Sequence, residues 1–467
     1  VLNGFVSSRD GVNVNNTNAA DSDDNGPQAN VTPSAVRSPQ IMLVAGDSTA
    51  TGESDQAQSA SPGFGNPAMT DNAATPDANS NLEVDFGFVR VYSLGNRVWK
   101  DLDNSGTLNG SEVGIDNVTL RLLVSPALTQ ATDLYGAPIA DQTTASGGYF
   151  RFDNVPRGDY VIEVRATNFS GVLNGCISST ADAGDPDTDT DDSDDNGVGS
   201  TPNVSNGIRS VAVTLGEGSG TAEPINDNDP ATNPQTNEAP DNQSNRTVDF
   251  GFTPIYSLGN RVWKDLNNSG TIDAADGGAP GVDGVTVRLL NANTLAQATD
   301  YTGALVADQT TSGGGYYRFD NLLAGDYVAE VRAANFTGVG VLVGCMSSSA
   351  DAGDPDTDVD DSDDNGVGIA PNVTTGIRSA AITLGPAVGS EPTNDNDPAT
   401  NPLPGEARND QSNRTLDFAF VPVYSLGNRV WEDRNNNGAF DGGENSIDGV
   451  FVRLLDGTGA PASDIFG

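Results

Sequence analysis

The octapeptide YSLGNRVW, which runs from Tyr92 to Trp99, decides the fold because the chain contains it three times. A five-residue string with two aromatic residues stands three residues before each copy. The octapeptides begin at Tyr92, Tyr256 and Tyr424, and the strings before them are Val84–Phe88 (VDFGF), Val248–Phe252 (VDFGF) and Leu416–Phe420 (LDFAF). We interpret the octapeptide as the opening strand of a repeated module and the shorter string as the closing strand.

The repeats divide the 467 residues into four parts. Residues 92–252 and 256–420 are complete modules, residues 1–88 are the C-terminal part of a module (the tail), and residues 424–467 are the N-terminal part of another (the head). Two interpretations of the incomplete modules remain open. The chain is a fragment of a longer array, or the tail of one copy completes the head of the next by strand complementation and forms a head-to-tail fibre.

Each module contains short runs in which apolar residues alternate with polar ones, which is typical of half-buried β-strands. Such runs are Val118–Leu123, Val285–Leu290 and Val450–Leu455, and hairpin patterns follow at 149–164 and 316–331. The chain has 55 Gly and 26 Pro, and its acidic residues are mostly Asp, which disfavours helices. The sequence therefore predicts an all-β protein of tandem antiparallel β-sandwich modules with long acidic loops.

The charge of the chain excludes several functions. Lys and Arg number 22 against 65 Asp and Glu, so the formal net charge is −43, and there is no His. Nucleic acids and anionic membrane surfaces bind basic patches, so we expect neither as a partner. Without His, Ser-His-Asp and Cys-His catalytic groups and His-based zinc sites are excluded. No apolar run approaches the roughly 18 residues of a membrane span.

The loop after each opening strand has the spacing of an EF-hand calcium loop. Oxygen donors stand at positions 1, 3 and 5, Gly at position 6, a carbonyl donor at position 7 and an acid at position 12. The candidate ligands are Asp101, Asp103, Ser105, Thr107 and Glu112 in the first loop, Asp265, Asn267, Ser269, Thr271 and Asp276 in the second, and Asp433, Asn435, Asn437, Ala439 and Glu444 in the third. Metal-free turns also favour Asp, Asn and Gly, but they do not require an acid at position 12. With two or three carboxylates among these ligands, each loop is expected to bind Ca²⁺ weakly, with a Kd of roughly 10⁻⁴–10⁻³ M.

A second acidic motif, Asp-Ser-Asp-Asp-Asn-Gly, also occurs three times and has oxygen donors at positions 1, 3 and 5. Its candidate calcium ligands are Asp21, Asp23 and Asn25, then Asp192, Asp194 and Asn196, and finally Asp361, Asp363 and Asn365. Because no acid stands at position 12, a solvated acidic loop remains an equal alternative. A weaker cluster, Asp227–Asp229, recurs as Asp395–Asp397.

The Trp and Cys residues also recur at matching positions, and we interpret them as structural. Trp99, Trp263 and Trp431 end the octapeptides and are expected to be core anchors. Cys176 and Cys345 stand where the tail has Phe5, which favours a buried apolar role for the thiol. An interchain disulfide remains open.

The order of these motifs resembles the B-like domain of bacterial serine–aspartate repeat (Sdr) surface proteins. The resemblance is carried by YSLGNRVWKDLDNSGTLNGSE, then GGYFRFDNVPRGDYVIEV, an acidic stretch and VDFGF. It implies an immunoglobulin-like (transthyretin-type) sandwich, Ca²⁺ in the loops 101–112, 265–276 and 433–444, and a rod that carries an adhesive domain away from the cell. Asp276 departs from the usual Glu at position 12. Related collagen-adhesin B domains carry a Lys–Asn isopeptide crosslink, but Glu432 replaces Lys100 and Lys264 in the third copy, which argues against it here.

These observations predict an extracellular, calcium-stiffened and non-enzymatic repeat protein at a bacterial cell surface. It would be a stalk or a filament subunit whose partners are Ca²⁺ and either copies of itself or adjacent modules of a longer chain. One alternative is an adhesin module that binds a host or carbohydrate surface. A less favoured alternative is a glycoside hydrolase that uses two carboxylates, which would need one functional copy and a cleft.

Overall fold

The computed structural model describes residues 2, 4–8, 86–179, 187, 194–216, 238–240, 243–277, 281–348, 363–385, 404–408 and 411–464. Within these ranges the chain is built of strands, and its helical residues lie in the short 3₁₀ turns Ala166–Ser170, Ala274–Asp276 and Ala333–Phe336 and at Gln243 and Gln411. The all-β prediction is confirmed. The chain divides into two compact units, Val1–Thr253 and Pro254–Gly467. The described part contains no helix that is long and apolar enough to cross a membrane.

The strands of the first unit follow the predicted order of opening strand, hairpin and closing strand. They are β1 Phe5–Ser7, β2 Phe88–Arg90, β3 Tyr92–Lys100, β4 Val113–Gly114, β5 Thr119–Val124, β6 Thr129–Gln130, β7 Gln142–Thr143, β8 Tyr149–Val155, β9 Gly158–Val164, β10 Cys176–Ser178, β11 Gly197–Asn203, β12 Gly207–Ser210, β13 Val213–Leu215, β14 Ser244–Asn245 and β15 Phe250–Pro254. The second unit repeats this order with fewer short strands. They are β16 Tyr256–Lys264, β17 Thr286–Asn291, β18 Gln309–Thr310, β19 Tyr316–Leu322, β20 Gly325–Val331, β21 Cys345–Ser347, β22 Gly366–Asn372, β23 Gly376–Ser379, β24 Ile382–Leu384, β25 Ser412–Asn413 and β26 Phe418–Pro422.

Two sheets form the sandwich of the first unit. One has the order β10-β15-β3-β14, with β8 and β4 also paired to β3, and the other has the order β11-β12-β9-β5-β6. The second unit has equivalent sheets, β19-β16-β26-β21 and β18-β17-β20-β23-β22. Pairings are antiparallel except that the closing segments β14 and β15 run parallel to β3, as β25 and β26 do to β16. A parallel pair is possible there because the two strands come from opposite ends of the module and no hairpin joins them.

The core lies between the two sheets of each sandwich and is made by the predicted alternation. Leu94 and Val98 of β3 pack with Phe152, Ile162 and Phe250, and all five side chains are fully buried. The equivalent side chains of the second unit form the same kind of cluster.

Trp99 is also fully buried, as expected, but it lies outside this cluster. Since successive strand residues point to opposite faces, Trp99 lies on the other face of β3 from Val98. Its ring is close to Gly251, where an added Cβ would come within 2.9 Å of the Trp99 ring. Trp99 is therefore an anchor between the opening and closing strands. The thiols agree with the apolar prediction in part, because Cys345 is buried within the second core while Cys176 is half-buried against the first.

A buried ion pair holds the segment before the closing strand. The Arg246 side chain contacts Glu238 at 3.1 Å, and these side chains are 3% and 0% exposed. Ser244 donates a hydrogen bond to the same carboxylate at 2.9 Å, and Arg151 of β8 lies 3.5 Å from its other oxygen. The second unit repeats the arrangement with Glu406, Arg414, Ser412 and Arg318. Because the buried charges compensate each other, the segment is fixed against β3 and β8.

The third octapeptide does not form a strand. Tyr424 and Leu426 are 89% and 84% exposed, whereas the equivalent Tyr92 and Leu94 are 4% and 0% exposed. The predicted strand at Val450–Leu455 is also absent from the described head. In the complete modules the octapeptide pairs with a hairpin strand and a closing strand, whereas the described part of the head contains neither strand. The same eight residues are therefore extended and buried only where these partners are available.

The close approach of β3 to β8 gives a test of the sandwich. At Gly95 an added Cβ would lie 2.4 Å from the carbonyl oxygen of Phe150, so Gly95→Ala must displace backbone. We expect it to lower the free energy of unfolding of the first sandwich by about 1–3 kcal/mol. Gly385→Ala is the control, because its Cβ would meet its nearest neighbour at 3.8 Å. Urea unfolding followed by circular dichroism measures both, and equal stability of the two variants would contradict the described approach.

Candidate metal centre

The first candidate loop begins at the end of β3 and folds around Asp101. The Asp101 backbone N–H donates to the carbonyl of Phe252 at 3.0 Å, and the Asp101 side chain is fully buried. Its Oδ2 accepts hydrogen bonds from Gly106 N at 2.9 Å and from the Ser179 hydroxyl at 2.6 Å, and its Oδ1 accepts from Ser105 N at 3.2 Å. Gly106 has a φ of 75°, so Gly at position 6 permits the turn that brings its N–H to Asp101.

Three carboxylates meet in this loop, as the spacing predicts. Asp101, Asp103 and Glu112 each offer an oxygen, and these oxygens lie within 4.8 Å of one another. Glu112 is held by two backbone donors, Leu102 N at 2.7 Å and Asn109 N at 3.0 Å. A set of carboxylate, hydroxyl and carbonyl oxygens fits a hard cation such as Ca²⁺, and these residues could hold one.

The side chain at position 9 also faces the site, although the sequence prediction left it out. In the first loop Asn109 donates its amide N–H groups to Ser105 Oγ at 2.9 Å, Thr107 O at 3.2 Å and Asp103 Oδ2 at 3.4 Å. Positions 3, 5, 7 and 9 therefore surround one point. The amide of Asn109 lies among the oxygens that would bind a cation.

Positions 3 and 9 exchange an acid for an amide between loops. Asp103 and Asn109 form the pair in the first loop. In the second loop Asn267 donates to Asp273 at 2.9 Å, and in the third Asn435 donates to Asp441 at 3.2 Å. Counted with position 9, each loop therefore has three carboxylates. This reciprocal exchange between the copies is visible in the sequence and could have identified position 9 as part of the site.

The acid at position 12 has the same contacts in all three loops. Asp276 accepts from Leu266 N at 2.8 Å and from Asp273 N at 3.0 Å, as Glu112 does from the equivalent residues. Glu444 accepts from Arg434 N at 2.9 Å and from Asp441 N at 3.3 Å. The shorter Asp276 reaches these donors from a 3₁₀ turn, Ala274–Asp276, that is capped by Asp273. The remaining predicted ligands also lie in their loops: Ser269 Oγ donates to Thr271 O at 3.0 Å, and Ala439 N donates to Asn437 Oδ1 at 2.8 Å.

The second acidic motif packs directly against the first loop. Asp194 forms an isolated antiparallel bridge with Thr107, and Asp195 N donates to Gly106 O at 2.9 Å. Asn196 Oδ1 accepts from Asp249 N at 2.8 Å, so this predicted ligand oxygen binds the closing strand. The second unit has the same arrangement, with the bridge Thr271 to Asp363 and with Asn365 Oδ1 accepting from Asp417 N at 2.7 Å.

Metal binding by Asp194 and Asp363 stays a prediction. The other predicted ligands of this motif, Asp21, Asp23, Asn25, Asp192 and Asp361, lie outside the described residues, as do the clusters Asp227–Asp229 and Asp395–Asp397.

The fourth residue of the second motif is a buried acid that the ligand pattern did not predict. Asp195 is 1% exposed and accepts from Gly197 N at 2.9 Å and Gly251 N at 3.1 Å. Burial raises the pKa of Asp195 to about 8, and the charge of Asp101 adds to the effect. Burial likewise raises the pKa of the equivalent Asp364 to about 7. The only sign in the sequence was an Asp at this position in every copy of the motif.

The carboxylates at positions 3 and 12 of the first loop have pKa values shifted in opposite directions. The Ser105 hydroxyl and the Asn109 amide lower the pKa of Asp103, which favours its charged form. Partial burial raises the pKa of Glu112. The site thus combines a carboxylate at its rim that favours the charged form with a buried acid that favours the protonated form.

The raised pKa of Asp195 predicts a pH dependence of stability in the absence of metal. The folded state keeps this proton up to about pH 8, whereas the unfolded chain releases it near its ordinary value of 3.8. Between these values the folded state binds more protons, so the free energy of unfolding should fall as the pH rises. In EDTA, Asp195→Asn should flatten the decrease in Tm of the first sandwich from about pH 5 to 8. Asp159→Asn, at an exposed position of the same module, should leave the decrease in Tm unchanged. An unchanged slope in Asp195→Asn would contradict the assignment.

Comparison with known proteins agrees with this architecture. The model of the SdrD B-like domain matches residues 92–216, 256–385 and 424–465, well over half of the chain. Serine-aspartate repeat-containing protein D of Staphylococcus aureus (strain Newman) is 28% identical over 386 residues, which cover 82% of this chain and 21% of the relative. Serine-aspartate repeat-containing protein F of Staphylococcus epidermidis (strain ATCC 12228) is 28% identical over 384 residues, which cover 81% and 16%. The chain thus spans about a fifth of the length of these relatives or less.

Two pilins are among the solved structures that match. The minor pilin GBS52 of Streptococcus agalactiae is 11% identical, covers 72% of this chain and 98% of its own, and has a TM-score of 0.19. The shaft pilin spaA of Lactobacillus rhamnosus GG is 10% identical, covers 72% and 100%, and has a TM-score of 0.20. These TM-scores are too low to support an argument. The family model, which matches the two complete modules and the head, shows that the chain belongs to the family of SdrD B-like domains.

Proposed function

We propose that this chain is an extracellular, calcium-stiffened and non-enzymatic repeat segment of a bacterial surface protein, where it forms part of a stalk or filament. The observation that carries the proposal is the reciprocal exchange at positions 3 and 9, which keeps three carboxylates in each loop. Turns without a ligand have no reason to preserve that number. The weak affinity expected for such loops suits the millimolar Ca²⁺ outside cells.

The contacts of the first loop explain how a bound cation would stiffen a module. Asp101 ends the opening strand and accepts a hydrogen bond from Ser179, which follows β10. Asn104 of the loop accepts from Thr253, the last residue of the first unit, at 3.2 Å. Bound Ca²⁺ would supply positive charge that offsets the repulsion between Asp101, Asp103 and Glu112. The loop would then hold the ends of three strands at one point, which restricts motion at the end of the module.

The repetition of the site favours this function over catalysis. The same positions carry candidate ligand oxygens in all three loops. The carboxylate at position 12 accepts a hydrogen bond from a backbone N–H group in each of them. A glycoside hydrolase would need one pair of carboxylates in a cleft that admits a sugar, whereas here carboxylates recur at equivalent positions in every loop.

Calcium removal tests the proposal. Ca²⁺ at ten times the Kd should raise the Tm of both sandwiches relative to EDTA, since binding to the folded state adds about 1.4 kcal/mol per site. Glu112→Gln should weaken the effect in the first sandwich and leave the second unchanged. Asp159→Asn is the control, because this exposed acid lies in the same module outside the loop. Calorimetry and metal analysis of the purified chain measure both effects. Equal Tm values in Ca²⁺ and EDTA, with no bound metal, would exclude the proposal.

Self-association is a finer part of the proposal and rests on exposed strand residues. In the complete modules the closing-strand residues Phe250 and Phe418 are fully buried beside the opening strand. The equivalent Phe86 of the tail is 43% exposed, and β2 pairs with β1 in the described tail. The head exposes the opening octapeptide from Tyr424. We propose that the octapeptide of one copy pairs in parallel with residues 86–88 of another, with Val430 opposite Phe86, as Val98 lies opposite Phe250.

This pairing predicts chains of the 467-residue protein in solution. Light scattering and electron microscopy should show head-to-tail oligomers whose size increases with concentration. Removal of residues 424–467, or Phe86→Asp, should yield monomers. Val204→Asp is the control, because Val204 is 96% exposed at another site. A monomeric full chain would contradict self-association and favour opening strands supplied by a longer polypeptide.

A further inference from the structure

The first loop contains an exposed Asn109–Gly110 pair, a sequence whose chemistry is separate from any role in metal binding. We propose that Asn109 is a site of spontaneous deamidation, which converts position 9 of this loop to a carboxylate. The reaction itself is independent of calcium, while its effect on affinity rests on the proposed function. The first loop would then have four carboxylates, whereas the second and third have three.

The reaction needs only the chain and water. The backbone nitrogen of Gly110 attacks Cγ of Asn109, a C–N bond forms, and the bond from Cγ to Nδ2 breaks. The proton of the Gly110 N–H passes through solvent to the departing nitrogen, which leaves as ammonia. Water then opens the cyclic imide at either carbonyl and yields aspartate or isoaspartate. A glycine after the asparagine favours the attack because it has no side chain to hinder it.

The surroundings of Gly110 leave its nitrogen open to this attack, once the Asn109 amide leaves its hydrogen bonds to Ser105, Thr107 and Asp103. Asn109 and Gly110 are exposed, and no atom lies within 4 Å of a Cβ position on Gly110. The Gly110 N–H makes no hydrogen bond to the described residues. The nucleophile is therefore available, and solvent can take its proton.

Other Asn–Gly pairs of the chain provide internal comparisons. Gly197 follows Asn196, and its backbone N–H donates to the Asp195 carboxyl group at 2.9 Å. Gly366 follows Asn365, and its N–H donates to Asp364 at 3.0 Å. Gly438 follows Asn437, and its N–H donates to Asp433 at 2.8 Å. Asn196 and Asn365 are also fully buried. These pairs must first open locally, which slows their reaction.

Deamidation would change the balance of acid and amide groups at positions 3 and 9 of the loop. Asn109 now donates to Asp103 at 3.4 Å, and each of the other loops likewise has one amide for one acid at positions 3 and 9. After deamidation the carboxylates at positions 3 and 9 would face each other. They would repel each other in the absence of a cation, and the new carboxylate would add a ligand when a cation is bound. Asp273 and Asp441 show that an acid at position 9 fits the loop backbone. The aspartate product, which keeps the ordinary backbone, should therefore bind Ca²⁺ more tightly, and the first loop should then depend more on Ca²⁺ for its order.

Mass spectrometry of the full chain tests the reactivity. The protein is incubated in mildly alkaline buffer with EDTA and cleaved after Lys and Arg, and the fragment 101–121 is sequenced for acid at Asn109. Conversion at Asn109 should be at least ~10-fold faster than at Asn196, Asn365 or Asn437, which require local opening. Gly110→Ala should suppress it. Conversion at Asn109 no faster than at the other three would overturn the proposal, whether or not Ca²⁺ binds.

A separate titration tests the consequence. In a chain with Trp263→Phe and Trp431→Phe, the fluorescence of Trp99, two residues before Asp101, reports Ca²⁺ binding to the first loop. Asn109→Asp should lower the Kd by roughly tenfold, because the number of charged ligands sets affinity in such loops. Asn117→Asp adds the same charge in the same module outside the loop and should change the Kd much less. Equal shifts in the two variants would overturn the effect on affinity and leave the reactivity intact.

Discussion

The parallel pairing of the opening strand with the closing strand is the interaction on which the rest of each module depends. Val98, Trp99 and Lys100 lie opposite residues 250–252, so the two ends of the module meet in one sheet. The side chain of Asp249 strengthens the contact, because it accepts from Arg97 N at 2.9 Å and from the Asn96 amide at 3.2 Å. The candidate metal loop starts where the opening strand leaves this pair. Its position is therefore a consequence of the strand pairing.

The acidic residues of the chain follow from the same arrangement. Asp101, Asp195 and Asp249 are buried around the two strands, and each accepts backbone N–H groups that would otherwise be unsatisfied. Such burial is costly for charge, and Asp195 responds with a pKa near 8. These acids are thus not part of a uniformly charged surface. They lie where the loops meet the opening and closing strands, and a cation at the first loop would act on the same strands.

Prediction from the sequence succeeded where the information is local. The alternation in Thr119–Val124 and the hairpin residues after Tyr149 predicted strands that the structure contains. The spacing of the first loop predicted that Asp101, Asp103 and Glu112 converge. It did not show that Asn196 binds the closing strand, because that contact joins residues 53 positions apart. The role of position 9 was present in the repeats, as an exchange of acid and amide, but became meaningful only once positions 3 and 9 were seen to face each other.

The sequence by itself determined the module repeat, the all-β class and the residues that converge in the candidate metal loops, because these depend on residue type and on short spacings. The tertiary structure decided which strands pair in parallel, which acids are buried and whether an octapeptide becomes a strand at all. The clearest case is YSLGNRVW, which is a buried strand at Tyr92 and at Tyr256 but is exposed at Tyr424. A β-strand has no hydrogen bonds of its own, so its formation depends on the strands beside it.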